Sequence, residues 1–279
     1  MKRAFQQIFN NRKLFFPIII NSTVTYILAF LFSFMVYQVI TIIGAASCNI
    51  HVRFLYNGLR FVTGDYSSSW TSDTALIVFI SGPAVSIIMG LTCFFISQSL
   101  MGLKTNLKLF FLWTSLHFFN RVLSFFILGN IFFLYGPNLI LDWLYFSEGT
   151  KIIFSGIAFI LLIVIGMRYL TAFIHSANNI NLVKQPKRFS FLLSQTLIPF
   201  VIGNIFMLFF FFPKIPFVEV LINLFVIVII VPIFFKFRKF PIININEPLK
   251  IYPVDKMYIF FLVGLAFVYR LIFIKGFTI

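Results

Sequence analysis

Apolar residues along this chain gather into seven long runs, and the positions that interrupt them are polar, turn-forming or basic. The runs cover about 22–44, 75–97, 109–134, 152–174, 190–212, 217–235 and 257–274. A hydrocarbon layer about 30 Å thick needs roughly 20 helical residues to cross, so each run suffices for one passage. They are continuously apolar rather than alternating, which predicts helices instead of the strands of a closed barrel. The expected fold is an all-α polytopic integral membrane protein, a single domain over 1–279 with a bundle of about seven transmembrane helices.

Two polar stretches add detail. Residues 1–21 mix Lys2, Arg3, Arg12 and Lys13 with Phe5, Ile8, Phe9, Leu14 and Phe15, a basic amphipathic segment suited to a membrane surface. The longest connection is 45–74. In its first half Arg53, Asn57 and Arg60 recur at helical spacing, which predicts an interfacial helix after the first span. Its second half, Gly64 to Asp73, contains Tyr66 and Trp70 among serines and reads as a turn-rich connection.

Composition narrows the class. Only 10% of residues are charged and mean hydropathy is +1.03, which leaves no room for a soluble domain. A net charge of +15 would suit a nucleic-acid partner, but the cations are dispersed beside span ends, where topology signals and headgroup contacts belong. With the N-terminus inside, 15 of the 22 basic residues fall on the inner side and six outside, with Arg121 left within a span. The expected setting is a bacterial inner membrane with the N-terminus in and the C-terminus out. The partners expected there are the bilayer and anionic headgroups at the cytoplasmic face, with another membrane protein as a candidate partner and no nucleic acid.

The third run carries the one concentrated polar stripe. Trp113, His117, Asn120, Arg121 and Ser124 share a helix face. A cation near mid-membrane costs about 2.5–3.5 kcal/mol on insertion scales, so Arg121 should face a bundle interior or an aqueous cavity. Glu219, the acid nearest to a span, is placed by its run too close to the membrane surface to meet it. Arg121 is therefore expected to lack a carboxylate within the chain and to contact a lipid, ligand or second subunit. His51, His117 and His175 fall at three different depths, which argues against a three-histidine metal site, and no cofactor is expected. Cys48 and Cys93 lie near opposite faces, so no disulfide is expected.

In the second run Gly82, Ser86 and Gly90 recur every four residues beside Pro83, a small-residue stripe that lets helices approach closely. The stretch Ser81-Gly82-Pro83-Ala84-Val85-Ser86, followed by the polar-punctuated third run, resembles the membrane core of site-2 intramembrane metalloproteases over about 60 residues, with Ser86 where that family carries asparagine. The family's HExxH zinc pair and later Asp-Gly ligand segment are missing, so the resemblance implies a shared membrane core without proteolysis. The functional expectation is a non-enzymatic inner-membrane subunit or scaffold that binds partner helices or lipids. The alternative is a carrier or lipid-processing protein that holds an anionic group at Arg121. Intramembrane hydrolysis stands last.

Overall fold

The computed structural model describes residues 2–64, 67–100, 105–132, 137–177, 180–184, 186–237 and 253–279. Asp65, Tyr66, Lys104, Arg238, Lys239 and Lys250 of the predicted loops lie outside these residues, as does the end of the third run.

The described residues form a polytopic bundle with seven helical passages, each long and apolar enough to cross a membrane. The first begins with a short amphipathic helix, α1 (Lys2–Asn10), which buries Ala4 and Ile8. After a break at Asn11, α2 (Arg12–Ser47) runs for 36 residues and carries Pro17 in its second turn. The first passage is therefore longer than the apolar run 22–44, because α2 continues through the basic segment, where Phe15 is fully buried.

The predicted interfacial helix does not form. Residues after α2 make a hairpin of β1 (Val52–Leu55) and β2 (Gly58–Phe61), joined by the two-residue turn Tyr56-Asn57. Val52 and Phe54 point inward and Arg53 outward, the alternation of a strand. Arg53 and Arg60 are directly opposed across the hairpin, so the seven-residue spacing that suggested a helix stripe is a cross-strand register. Gly58 closes the turn at φ 138°, a conformation L side chains rarely adopt.

The second to fourth passages are α3 (Ser72–Ser99), α4 (Thr105–Phe132) and α6 (Glu148–Ile174), with the short α5 (Pro137–Trp143) before α6. Thr71 starts α3 with a reciprocal capping box to Thr74, and the Ser147 hydroxyl accepts from Thr150 N to start α6. A four-residue turn of helix, α7 (Ile180–Val183), leads to the fifth passage. That passage is α8 (Lys187–Leu192), a π-helical turn over Leu193–Leu197, and α9 (Ile198–Phe211). The sixth is split into α10 (Phe217–Leu224) and α11 (Val226–Lys236). The last is α12 (Lys256–Phe273), after which β3 (Phe277–Thr278) pairs antiparallel with β1 to give the order β2-β1-β3.

Seven passages leave α1 and β3 at opposite ends of the bundle. The three-stranded sheet caps one end and joins the close of the first passage to the close of the last. At the other end the Asn21 amide donates to Pro253 O and accepts from Asp255 N, while Asn106 donates to the Asp255 carboxylate. Over their most apolar stretches, 67% of α4 is buried within the protein against 11% of α12. Thus α4 is the inner helix and α12 is peripheral. Of the described glycines, Gly166 of α6 is the most tightly met: an added Cβ would sit 2.2 Å from the Ile229 carbonyl oxygen of α11.

Candidate functional site

The polar stripe of α4 points into the bundle: Trp113, His117, Asn120, Arg121 and Ser124 are all buried. Around it, polar side chains from α2, α9 and α10 form a column along the bundle axis. A hydrogen bond made out of contact with water removes a large desolvation cost, so such groups collect where they can answer one another.

The column starts near the α1 end. The Gln195 side chain, in the π-helical turn, donates to Ser176 Oγ at 2.5 Å, and the Gln195 backbone carbonyl accepts from Ser22 Oγ at 2.7 Å. Ser22 in turn accepts from Trp113 Nε1 at 3.1 Å, which ties α2 to α4. One turn along α4, the His117 ring packs 4.7 Å from the Tyr26 ring, edge to face. His117 Nε2 is buried with no hydrogen-bond partner among the described residues. The Tyr26 hydroxyl donates to Asn223 Oδ1 at 3.2 Å, and the Asn223 amide donates to Asn204 Oδ1 at 2.8 Å. Gly203 makes room for Tyr26, since an added Cβ would stand 2.3 Å from its ring.

Further toward the sheet end, Asn120 donates to Ile222 O at 2.6 Å and accepts from Ser124 Oγ at 2.9 Å. That contact falls just before the break between α10 and α11 at Phe225, so an α4 side chain engages a carbonyl at the interrupted helix. Arg121 then donates to Glu219 from both terminal guanidinium nitrogens, Nη1 at 3.1 Å to Oε1 and Nη2 at 2.7 Å to Oε2. Its charge also lies 5.1 Å from the ring centres of Phe34 and Tyr37 on α2.

The Arg121–Glu219 pair overturns the expectation that Arg121 lacks a carboxylate in its own chain. The physical reason is the placement of α10. A short turn at 212–216 leads straight into this helix, and its first two turns lie against the middle of α4 instead of beside its end. Glu219 is thereby brought to the depth of the arginine. A fork-shaped guanidinium answered by both carboxylate oxygens is the geometry that makes a buried charge tolerable.

The small-residue stripe of α3 is also buried and faces two helices. Gly82 lies against Tyr37 and Thr41 of α2, and Gly90 against Phe118 and Phe119 of α4. Ser115 donates to Gly90 O at 2.5 Å across the second contact. Pro83 is half-buried beside Gly82. Ser86 is buried, and its hydroxyl has no partner among the described residues.

Several members of the column carry a sequence signal of their own outside the α4 stripe. Asn204, Asn223 and Gln195 are isolated amides within long apolar runs, where a polar side chain is costly unless answered by a neighbouring helix. Lys151 is another cation with a full answer, bonded to Glu148 at 2.7 Å and to Asp142. His51 lies at the sheet end, His117 in the core and His175 at the α1 end, where Lys108 Nζ donates to the His175 carbonyl at 3.1 Å. Burial, and then the Lys108 charge, hold the His175 imidazole below its ordinary pKa. Among the described residues no three His, Cys, Asp or Glu side chains converge as a metal site. Cys48 and Cys93 are free thiols.

The fold defines the class as an integral membrane protein of seven helical passages around a polar core. Comparisons with protein families, with curated proteins and with solved structures returned no match.

Proposed function

We propose that the protein is a non-enzymatic subunit or scaffold of a bacterial inner membrane, with its N-terminus inside and its C-terminus outside. In this reading the bundle presents its outer surface to lipids or partner helices, while Arg121, His117 and Asn120 hold the interior together. One observation carries the reading: the mid-depth cation is answered by Glu219 of the same chain, so the best candidate ligand contact works as an internal clasp. The π-helical turn, the α10–α11 break and the Tyr26–Asn204–Asn223 cluster support it, because each is tied to the same interior.

The similarity of Ser81–Ser86 to the site-2 protease core belongs to this reading as a shared membrane scaffold that lacks the zinc motif. A carrier that holds an anion at Arg121 is the second reading, and it requires the Glu219 pair to open. Purification in mild detergent followed by native mass spectrometry tests both. The scaffold reading expects a stoichiometric protein or retained lipid that persists when Arg121 and Glu219 are replaced together by Met and Leu. The carrier reading expects a bound anion that the same substitution removes. A bare monomer sinks both. For the orientation, a reporter fused at the C-terminus must report the outer compartment.

A further inference from the structure

Basic residues concentrate at the α1 end of the bundle, yet six lie at the sheet end: Arg53, Arg60, Lys151, Lys214, Arg270 and Lys275. Their surroundings divide them sharply. Lys151 is neutralised by Asp142 and Glu148. The other five gather around one cavity of about 570 Å3 between the hairpin, the turn before α10 and the chain after α12. Arg53, Arg60, Lys214 and Lys275 line it, together with Tyr56 and Asn57. The Arg270 guanidinium lies against its wall, 5.7 Å from the Tyr56 ring centre.

Among the described residues no carboxylate lines this cavity. Of the described acids, the nearest along the chain, Glu219, is engaged by Arg121. Arg53 and Arg60 are direct cross-strand partners, an arrangement of like charges that weakens a hairpin unless something negative sits between them. The cavity is nevertheless built. Arg53 donates to Lys275 O at 2.6 Å and Asn57 to Lys214 O at 3.1 Å, so two side chains of the hairpin fasten the two segments that carry the lysines. A concave site with several cations focuses positive potential at one point. Exposed Phe212, Ile215, Phe217, Ile274 and Phe277 flank it, which places the opening at the boundary of apolar and polar surroundings where lipid phosphates reside.

We propose that this cavity binds a phosphate-bearing anion, with the guanidinium groups of Arg53 and Arg60 and the ammonium groups of Lys214 and Lys275 as its counter-charges. The site deepens the lipid-binding side of the proposed function and rests on it. The phosphate has two sources, a phospholipid headgroup or a soluble phosphate, and the test separates them.

The full chain in mild detergent is titrated with phosphatidylglycerol, with an uncharged galactolipid and with inorganic phosphate, and occupancy is read by native mass spectrometry. One phosphate-bearing ligand per chain is expected, in preference to the galactolipid. Removing two cations, as in R53Q/R60Q or K214Q/K275Q, should weaken binding about thirtyfold. The pair R168Q/K184Q, which replaces exposed cations away from the sheet end, should leave it unchanged. Loss of phosphatidylglycerol on adding inorganic phosphate identifies the soluble source, and its retention identifies the headgroup; either supports the site. Equal binding of galactolipid, or full binding by K214Q/K275Q, overturns it. The lysine pair is decisive because its ammonium groups take no part in the tethering bonds, whereas Arg53 does. A stoichiometric protein partner without phosphate binding overturns the site and leaves the subunit reading intact; a bare chain overturns both.

Discussion

Arg121 and the four cations of the sheet-end cavity carry the same charge in opposite surroundings. Arg121 is 3% exposed and is met by a carboxylate, two aromatic faces and an adjacent amide network. Arg53, Arg60, Lys214 and Lys275 are exposed, line a single cavity and face no carboxylate among the described residues. The difference follows from dielectric. A charge withdrawn from water must be answered within the fold, because nothing else repays its desolvation. A charge at the rim stays solvated and remains free for an outside anion. Enclosure beside Glu219 therefore suits Arg121 to a structural role, and the cations left open to outside anions lie at the end of the bundle.

The largest test of that contrast removes one half of the buried pair. Glu219→Ala strands Arg121 and should cost about 3–5 kcal/mol in thermal or SDS unfolding in detergent. Replacing both, as R121M/E219L, should return stability to within about 1 kcal/mol of the parent or above it. If E219A costs almost nothing, Arg121 finds another partner readily, and the carrier reading gains. No comparable loss is expected for K214Q/K275Q at the rim, where charge removal leaves nothing unanswered.

A second test carries the same contrast onto one helix. Gly166 of α6 meets the α11 backbone, while nothing lies within 4 Å of a Cβ added at Gly156 on the same helix. Gly166→Ala should destabilise by about 1–3 kcal/mol, since the obstacle is a carbonyl that cannot rotate away. Gly156→Ala should be neutral or stabilising by up to about 1 kcal/mol through helix propensity. Equal effects would mean that α6 and α11 are not clamped as described.

These contrasts also mark what could be read in advance. The seven passages were legible because lipid imposes a minimum apolar length, and each run meets it using only neighbours in sequence. The hairpin was not, since Arg53, Asn57 and Arg60 satisfy a helix period as well as a cross-strand register, and the strand that completes the sheet lies at the far end of the chain. The α4 stripe was legible as a buried face. Its partners were not, because the depth of Glu219 depends on where α10 docks and not on its place within an apolar run. Asn204 and Asn223 showed the cost of a polar side chain in lipid but not which side chain answers it. Asn223→Ala should remove its bonds to Tyr26 and Asn204, leaving only the direct Asn204–Tyr26 bond, at a cost of about 1 kcal/mol, and a double-mutant cycle with Tyr26→Phe should recover most of it as coupling. A cycle without coupling would break the column at its centre.

The smallest expected effect is at His117, and it bears most directly on function. Its ring packs among Tyr26, Trp113 and Phe30, and those contacts suit a phenyl ring equally well. Its buried Nε2 has no partner among the described residues, so an apolar replacement removes an unanswered polar atom. His117→Phe should therefore shift stability by less than about 1 kcal/mol, because the loss of polar contact from the rest of the imidazole is offset by the removal of that atom. A loss of several kcal/mol would mean that Nε2 has a partner in the working protein. It would move the search for a ligand back from the rim to the core, since a group that answers His117 would stand one helical turn from Arg121.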